Sequence, residues 1–161
     1  MPADLFSIAD RVMLVTGASS GIGSYVAQGL ARAGAARVYI TGRRATKLDA
    51  VAQAAPGILI PLVGDVSTIE GCKALADAFV SAEHKTGVED VKLDLLFNNA
   101  GMKAAEGSWA AGASGEQIRD ALLQAEDNDW AMVFAVNVGS LQVVLCSCMF
   151  MRPLLTSGTY R

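Results

Sequence analysis

Residues 16–23 read T-G-A-S-S-G-I-G and lie between the apolar run 12–15 and a stretch with helical periodicity. A strand that ends in a glycine-rich turn and leads into a helix points backbone N–H groups and a positive dipole end at one spot, which suits a phosphate. In our interpretation, Gly17 allows the tight turn and Gly21 lets the backbone approach a pyrophosphate. Gly23 lets the helix pack close to its strand. The spacing G-x-x-x-G-x-G matches neither G-x-G-x-x-G nor a P-loop, and an ordinary turn remains the alternative. The strand–turn–helix context favours dinucleotide binding.

Composition limits the classes of protein to which the chain can belong. It has 161 residues, of which 52% are hydrophobic and 18% charged, and its net charge is −3. These values predict one domain over residues 1–161 with a substantial core, and they exclude general disorder. A mildly acidic chain without a basic cluster argues against a nucleic-acid partner.

The cysteines and the histidine give no sign of a metal site. Cys72, Cys146 and Cys148 have neither the spacing of a disulfide framework nor that of a zinc site, and we expect small buried side chains. His84, the one histidine, lies between Glu83 and Lys85 and is expected to be solvated. We therefore predict no metal and a reducing, cytoplasmic environment.

One segment raises the alternative of a membrane span. Residues 131–151 contain no charged side chain and reach the length that can cross a bilayer. The segment also contains residues that are costly in lipid or break its apolar character, namely Asn137, Gly139, Ser140, Gln142 and Ser147. We favour a buried or partner-facing helix over a span.

Strand-like and helical patterns alternate along the chain. Strands are predicted at residues 12–16, 38–41, 58–63 and 93–98. Helices are predicted at residues 21–33, 45–54, 67–84, within 111–125, and from about 128 to before Pro153. Ser67 and Glu70 have the spacing of a capping box at the start of the third helix. Uniformly apolar strands that alternate with helices predict an α/β fold with a doubly wound parallel sheet of about four strands.

The polar turns of this fold all follow strands. They are the segments 16–23, 41–44, 64–66 and 98–101. Because parallel strands end at the same edge of a sheet, we expect these segments to form one binding crevice there. Each segment taken alone is also explained as an ordinary turn.

Four of these features together resemble the short-chain dehydrogenase/reductase family. They are T-G-A-S-S-G-I-G, Asp65 after the third strand, N-N-A-G at residues 98–101, and D-W followed by F-A-V-N-V in residues 129–138. The resemblance covers residues 8–151, approximately. It implies a Rossmann-like fold and an NAD(P)(H)-dependent oxidoreductase that interconverts a small-molecule carbonyl and an alcohol.

The resemblance also implies roles for individual residues. The pyrophosphate and the adenosine ribose would be bound by Gly17, Ser19, Ser20, Gly21, Ile22 and Gly23. The adenine would be held by Asp65 and Val66. Asn99, Ala100 and Gly101 would position the cofactor's ribose and brace the central strand. Asn137 resembles the helix asparagine that supports the catalytic proton relay; the alternative is an asparagine that caps a helix kink.

The end of the second strand indicates which cofactor is preferred. NAD-preferring relatives carry an acidic residue there for the ribose 2′-hydroxyl, whereas this chain has Gly42 followed by Arg43, and no acid before Asp49. Arginine suits a 2′-phosphate, so Arg43 favours NADP(H) over NAD(H). The alternative is that Arg43 and Arg44 are solvated charges at the start of a helix.

The chain departs from the family pattern in its catalytic residues. The family uses a tyrosine as general acid/base and a lysine four residues later, but here Tyr25 precedes Gly29, Tyr39 precedes Arg43, and Tyr160 is followed by one residue. A tyrosine without such help is a poor base at neutral pH. We therefore expect the cofactor-binding portion of an oxidoreductase, inactive alone, with its C-terminal strands missing.

Two further readings of the same departure stay open. The chain could be a non-catalytic dinucleotide-binding regulatory module, or an interaction-only partner of full-length relatives. The apolar helix at residues 128–151 predicts a homo-oligomer that forms through that helix. Residues 102–125 are rich in Gly and Ala and predict a flexible insertion on the substrate side.

Overall fold

Four parallel strands form the centre of the molecule. The computed structural model describes residues 7–103, 110–124 and 126–149. The strands are β1 (Val12–Thr16), β2 (Arg37–Gly42), β3 (Leu59–Val63) and β4 (Leu95–Phe97). Their order in the sheet is β3-β2-β1-β4, and all neighbouring pairs are parallel. The predicted parallel α/β sheet is confirmed.

Helices connect the strands. They are α1 (Gly21–Arg32), α2 (Ala45–Ala52), α3 (Ile69–Lys85), α4 (Gly115–Leu122), α5 (Asp127–Phe134) and α6 (Ser140–Met149), with a π-helical segment, Ala135–Gly139, between the last two. The helix predicted at 67–84 thus begins at Ile69. Its N-cap is Thr68, whose side chain accepts from Gly71 N–H at 3.0 Å, so the predicted capping box at Ser67 is wrong. Ser67 N–H instead donates to Asp65 Oδ1.

Successive residues of β1 enter two separate cores. Val12 and Leu14 belong to the cluster under α3 and α6, with Leu75, Phe79 and Val144. On the other face, the core under α1 and α2 contains Met13, Val15, Ala27, Val38, Ile40 and Leu48. Because side chains alternate across a strand, a strand that is apolar at every position must be covered on both faces. This arrangement confirms the doubly wound prediction.

A polar network lies inside the first of these cores. Glu83 of α3 is fully buried and accepts from Arg37 Nε at 2.6 Å, from Arg37 Nη2 at 2.7 Å and from the Tyr39 hydroxyl at 2.6 Å. The Tyr39 ring meets Phe79 edge to face, with centroids 4.9 Å apart. Burial disfavours a charged carboxyl, but the bonds from Arg37 and Tyr39 outweigh it and hold the pKa of Glu83 below its usual value. The network joins β2 to α3.

The predicted elements differ from the structure mainly at β4 and in the last helix. β4 begins at Leu95, and the preceding Asp94 also pairs with Val12: its carboxylate accepts from Val12 N–H at 2.8 Å and its own N–H donates to the Val12 carbonyl at 2.9 Å. The helix predicted from 128 begins at Asp127 but is interrupted by the π-helical segment. Over the described ranges, none of the helices has the length and apolar character needed to cross a bilayer.

Candidate functional site

The loops that follow all four strands enclose one pocket. It has a volume of about 270 Å³ and lies at the carboxyl edge of the sheet. The predicted site residues that line it are Gly17, Ser19, Ser20, Arg43, Asp65, Val66, Ala100 and Gly101. The lining also includes Thr41, Gly42, Arg44 and Gly64, which belong to the polar turns expected at the crevice, and Met102 and Val136, which lie outside those turns. The pocket thus forms where the topology brings the strand ends together.

The glycine-rich loop is shaped by close contacts with the loop after β4. Gly17 has φ +67°, and a Cβ there would lie 2.7 Å from Ala100 Cα. A Cβ on Gly23 would lie 2.5 Å from Asn99 Nδ2 and 2.7 Å from the Gly17 carbonyl oxygen, so the first turn of α1 packs closely on the loops after β1 and β4. Gly21 differs: its φ is +59°, but a Cβ there would meet nothing within 4 Å. The space beside Gly21 is open.

Thr16 and Asn99 hold β1 and the end of β4 together. The Thr16 hydroxyl accepts from the N–H groups of Asn99 and Ala100, both at 3.0 Å. The Asn99 side-chain amide donates to the carbonyl oxygens of Thr16 at 3.0 Å and Gly17 at 3.3 Å. Asn99 therefore supports the glycine-rich loop and does not line the pocket. Thr16 stands at the start of the glycine-rich motif in the sequence, but no role of its own was predicted for it, although its position at a strand end was a usable signal.

Two arginines stand on one side of the pocket. Arg44 Nη2 donates to the hydroxyl of Ser19 at 2.9 Å and to that of Ser20 at 3.1 Å, so it spans the glycine-rich loop and the start of α2. Arg43 lines the pocket, and its charge acts on Asp65. The side chains of both arginines are exposed. Arg44 is thus an exposed charge at the N-cap of α2 whose guanidinium also bonds the glycine-rich loop, so the alternative of solvated charges at a helix start stays open.

Asp65, which follows the neighbouring strand β3, is an anionic hydrogen-bond acceptor in the pocket lining. Its Oδ1 accepts from Ser67 N–H at 2.9 Å. This bond, with a smaller contribution from the charge of Arg43, lowers the pKa of Asp65 against the opposing effect of burial. The carboxylate stays charged at neutral pH and can accept from a ligand amine or hydroxyl.

The remaining predicted residues lie beside the pocket. Asn137 is in the π-helical segment, and its side chain bonds both backbone groups of Met102 at 2.8 Å. Ile22 is 71% exposed in the first turn of α1. Among the described residues, no group of three or more His, Cys, Asp or Glu side chains could hold a metal ion.

The tyrosines that sequence reasoning examined do not enter the pocket lining. Tyr39 is buried in the core, where burial and the bond to Glu83 raise its pKa. Tyr25 is 72% exposed on α1, and Tyr160 lies outside the described residues. Cys72 is buried, while the side chains of Cys146 and Cys148 lie outside the description. His84 is exposed as expected, and its Nδ1 is 2.9 Å from the Val88 carbonyl oxygen.

Comparison of the sequence with known proteins finds a family match over most of the chain. The model of the family described as short chain dehydrogenase matches residues 11–159. A short-chain dehydrogenase/reductase, PhomF of Diaporthe leptostromiformis, is 34% identical over 99% of this chain and 52% of its own length. The rhamnolipids biosynthesis 3-oxoacyl-acyl-carrier-protein reductase of Pseudomonas aeruginosa is 36% identical over 84% of this chain and 45% of its own length. The chain thus spans about half the length of these curated relatives.

Solved structures of similar fold include complexes with both nicotinamide cofactors. A metagenomic short-chain oxidoreductase in complex with NADP is 29% identical, with a TM-score of 0.70, over 90% of this chain and 57% of that one. A short-chain dehydrogenase/reductase from Burkholderia phymatum in complex with NAD is also 29% identical, with a TM-score of 0.70, over 92% of this chain and 46% of that one. The fold is therefore compatible with either cofactor.

Proposed function

Because this chain belongs to the short-chain dehydrogenase family, we propose that its pocket binds NADP(H), the cofactor for carbonyl reduction or alcohol oxidation. The observation that carries the cofactor choice is the pair Arg43 and Arg44 at the pocket beside Gly42, where an acidic residue would be needed for an NAD ribose.

The pocket fits a dinucleotide in shape and in charge. The open space at Gly21 lies at the N-terminus of α1, where backbone N–H groups and the helix dipole favour a pyrophosphate. Ser19 and Ser20 add hydroxyl donors on the same loop. Asp65 would supply an acceptor and Val66 an apolar contact for the adenine, so that the adenosine half would lie across the ends of β2 and β3.

Arg43 and Arg44 would give the preference for the phosphorylated cofactor. A 2′-phosphate presents several acceptor oxygens, and the planar guanidinium group can bond two of them at once. The Arg44 side chain is already held over the glycine-rich loop by the two serine hydroxyls. A carboxylate such as Asp65 disfavours the same phosphate, so we assign it to the adenine.

The bound nicotinamide would supply or accept the hydride, while this chain's residues bind and orient the cofactor. Ala100 and Gly101 line the pocket beside Gly17, and Asn99 supports the glycine-rich loop from outside the lining. Asn137 positions the same wall through Met102. The sequence contains no Tyr-x-x-x-Lys, so we propose that the 161-residue chain binds the cofactor without turning over substrate.

We also propose that the helix at 128–151 mediates association of two copies of the chain. Three large apolar residues, Trp130, Phe134 and Val138, are each more than half exposed at one-turn intervals in α5 and the π-helical segment. An apolar stripe of this kind is typical of a helix that packs on a partner.

Titration of the purified chain with NADPH and with NADH tests the proposal. With NADPH we expect a saturable change in fluorescence, by quenching or by energy transfer. NADH should bind at least about tenfold more weakly, because it lacks the phosphate that forms charge-assisted hydrogen bonds. Arg43→Ala should bring the two affinities close together, whereas Lys47→Ala, which removes an exposed cation from α2, the helix that follows Arg43, should not. Equal binding of NADPH and NADH by the unsubstituted chain contradicts the NADP(H) preference, and no binding of either contradicts the proposed function.

A further inference from the structure

Thr41 has a buried hydroxyl without a partner at the edge of the pocket. The residue is 1% exposed at the end of β2, between Thr16 of β1 and Leu62 of β3. Within the described part of the chain, its Oγ1 is the buried side-chain oxygen that makes no hydrogen bond. Its backbone carbonyl, in contrast, accepts from Ala18 N–H at 3.0 Å. A polar atom removed from water without a new partner is costly, and natural proteins keep few of them.

Gly64, which carries no side chain, lies next to this hydroxyl. A Cβ at Gly64 would lie 3.3 Å from Thr41 Oγ1, which is close to the length of a hydrogen bond. Gly64 carries no such atom, and both residues line the pocket. The same Cβ would lie 3.6 Å from Leu75 Cδ1, and the leucine side chain offers no polar group to Thr41. The nearest source of a partner is therefore whatever occupies the pocket.

The position of Thr41 also limits which part of an occupant it can meet. Its neighbours in the lining are Gly42 and Arg43 after β2 and Gly64 and Asp65 after β3. Of these, Arg43 and Asp65 are assigned above to the adenosine half of the cofactor. A threonine in a strand can exchange rotamers about the Cα–Cβ bond, so the hydroxyl can turn toward a ligand without movement of the strand.

We propose that Thr41 is a ligand-binding residue whose hydroxyl, unpartnered in the free chain, bonds the adenosine half of the dinucleotide, directly or through one water. This inference rests on the proposed function. In the free chain the Thr41 hydroxyl makes no hydrogen bond, and in the complex the ligand or its bound water would supply the missing partner. Removing the hydroxyl should therefore weaken binding without weakening the fold.

Thr41→Val separates these two effects because valine has nearly the same shape and lacks the hydroxyl. We expect the urea midpoint of free Thr41→Val to equal or exceed that of the unsubstituted chain, since no hydrogen bond is lost. We expect NADPH to bind about tenfold more weakly, the effect of one hydrogen bond at about 1.4 kcal/mol. Thr41→Ser keeps the hydroxyl, so its affinity for NADPH should stay within about threefold of that of the unsubstituted chain. Loss of the hydrogen bond would lower the affinity by more than that.

Thr16→Val is the matched contrast on the neighbouring strand. The Thr16 hydroxyl already has two backbone donors, so its removal should lower the urea midpoint. The adenosine probe is 2′,5′-ADP, which should lose the same factor as NADPH in Thr41→Val. If the unsubstituted chain binds NADPH and Thr41→Val binds it equally well, the inference about Thr41 is wrong and the proposed function stands. If the unsubstituted chain binds neither NADPH nor 2′,5′-ADP, both are wrong.

Discussion

Asn137 is paired through its side chain with both backbone groups of Met102. Met102 N–H donates to Asn137 Oδ1 at 2.8 Å, and Asn137 Nδ2 donates to the Met102 carbonyl at 2.8 Å. These two hydrogen bonds between side chain and backbone connect the loop after β4 to the π-helical segment. Because Met102 and Val136 both line the pocket, the pair fixes one wall of it. Local π-helical geometry is frequent where a helix positions a functional residue.

Asn137→Ala should destabilise the chain, since it leaves two backbone groups of Met102 without partners in a half-buried place. We expect the free energy of unfolding to fall by about 2 kcal/mol. Urea unfolding measured by circular dichroism gives this value. Asn128→Ala is the control, because Asn128 is exposed in the first turn of α5, and it should change stability by less than about 0.5 kcal/mol. Equal losses in the two variants would show that the Met102 pair contributes nothing.

Gly21→Ala should impair cofactor binding more than it impairs stability. The methyl group would meet no protein atom but would enter the open space at the N-terminus of α1. Gly57→Ala is a matched control: Gly57 also has a positive φ, +83°, and open space around a Cβ, but it lies far from the pocket lining. Both variants should lose about 1 kcal/mol of stability from left-handed strain.

Only Gly21→Ala should weaken NADPH binding, by about tenfold or more, because its methyl group displaces the ligand from the backbone N–H groups. Isothermal titration of the two variants under the same conditions measures the difference. The role assigned to Gly21 is refuted by equal affinities of Gly21→Ala and Gly57→Ala.

The strands and their loops could be predicted from sequence because their signals are local. The apolar run that ends at Gly17 predicted β1 with the bounds that the structure has. The order of the loops predicted the edge of the sheet at which the pocket lies. The capping residue of α3 was displaced from Ser67 to Thr68 because the Asp65 carboxylate takes the Ser67 N–H. That competition between two neighbouring hydrogen bonds is not visible in the S-T-I-E spacing.

Features that depend on distant partners were not predictable from local pattern. The π-helical segment coincides with the Asn137–Met102 pair, whose members are 35 residues apart. Glu83, for which the sequence pattern predicted no role, is fully buried, since its partners Arg37 and Tyr39 come from β2. Such contacts follow from tertiary packing, and one sequence carries no spacing rule for them.

Glu83→Gln should make the stability of the chain lower at neutral pH and less dependent on acid pH. Removing the charge breaks a buried pair that Arg37 and Tyr39 complete, so we expect a loss of about 3 kcal/mol at pH 7. The control Asp120→Asn removes an exposed carboxylate paired with Arg119 and should change stability by less than about 1 kcal/mol.

The pH dependence of this effect has a definite sign. The pKa of Glu83 in the folded chain lies below the ordinary value of 4.5, so the unfolded chain binds the proton more readily. The ion pair therefore contributes its full stability above about pH 4.5 and loses it as the pH falls through the lowered pKa. Urea unfolding at a series of pH values from 7 downward should show a steeper acid decline for the unsubstituted chain than for Glu83→Gln. Parallel declines would mean that the Glu83 carboxyl has the same pKa in the folded and unfolded chain, and the network would then contribute no acid sensitivity.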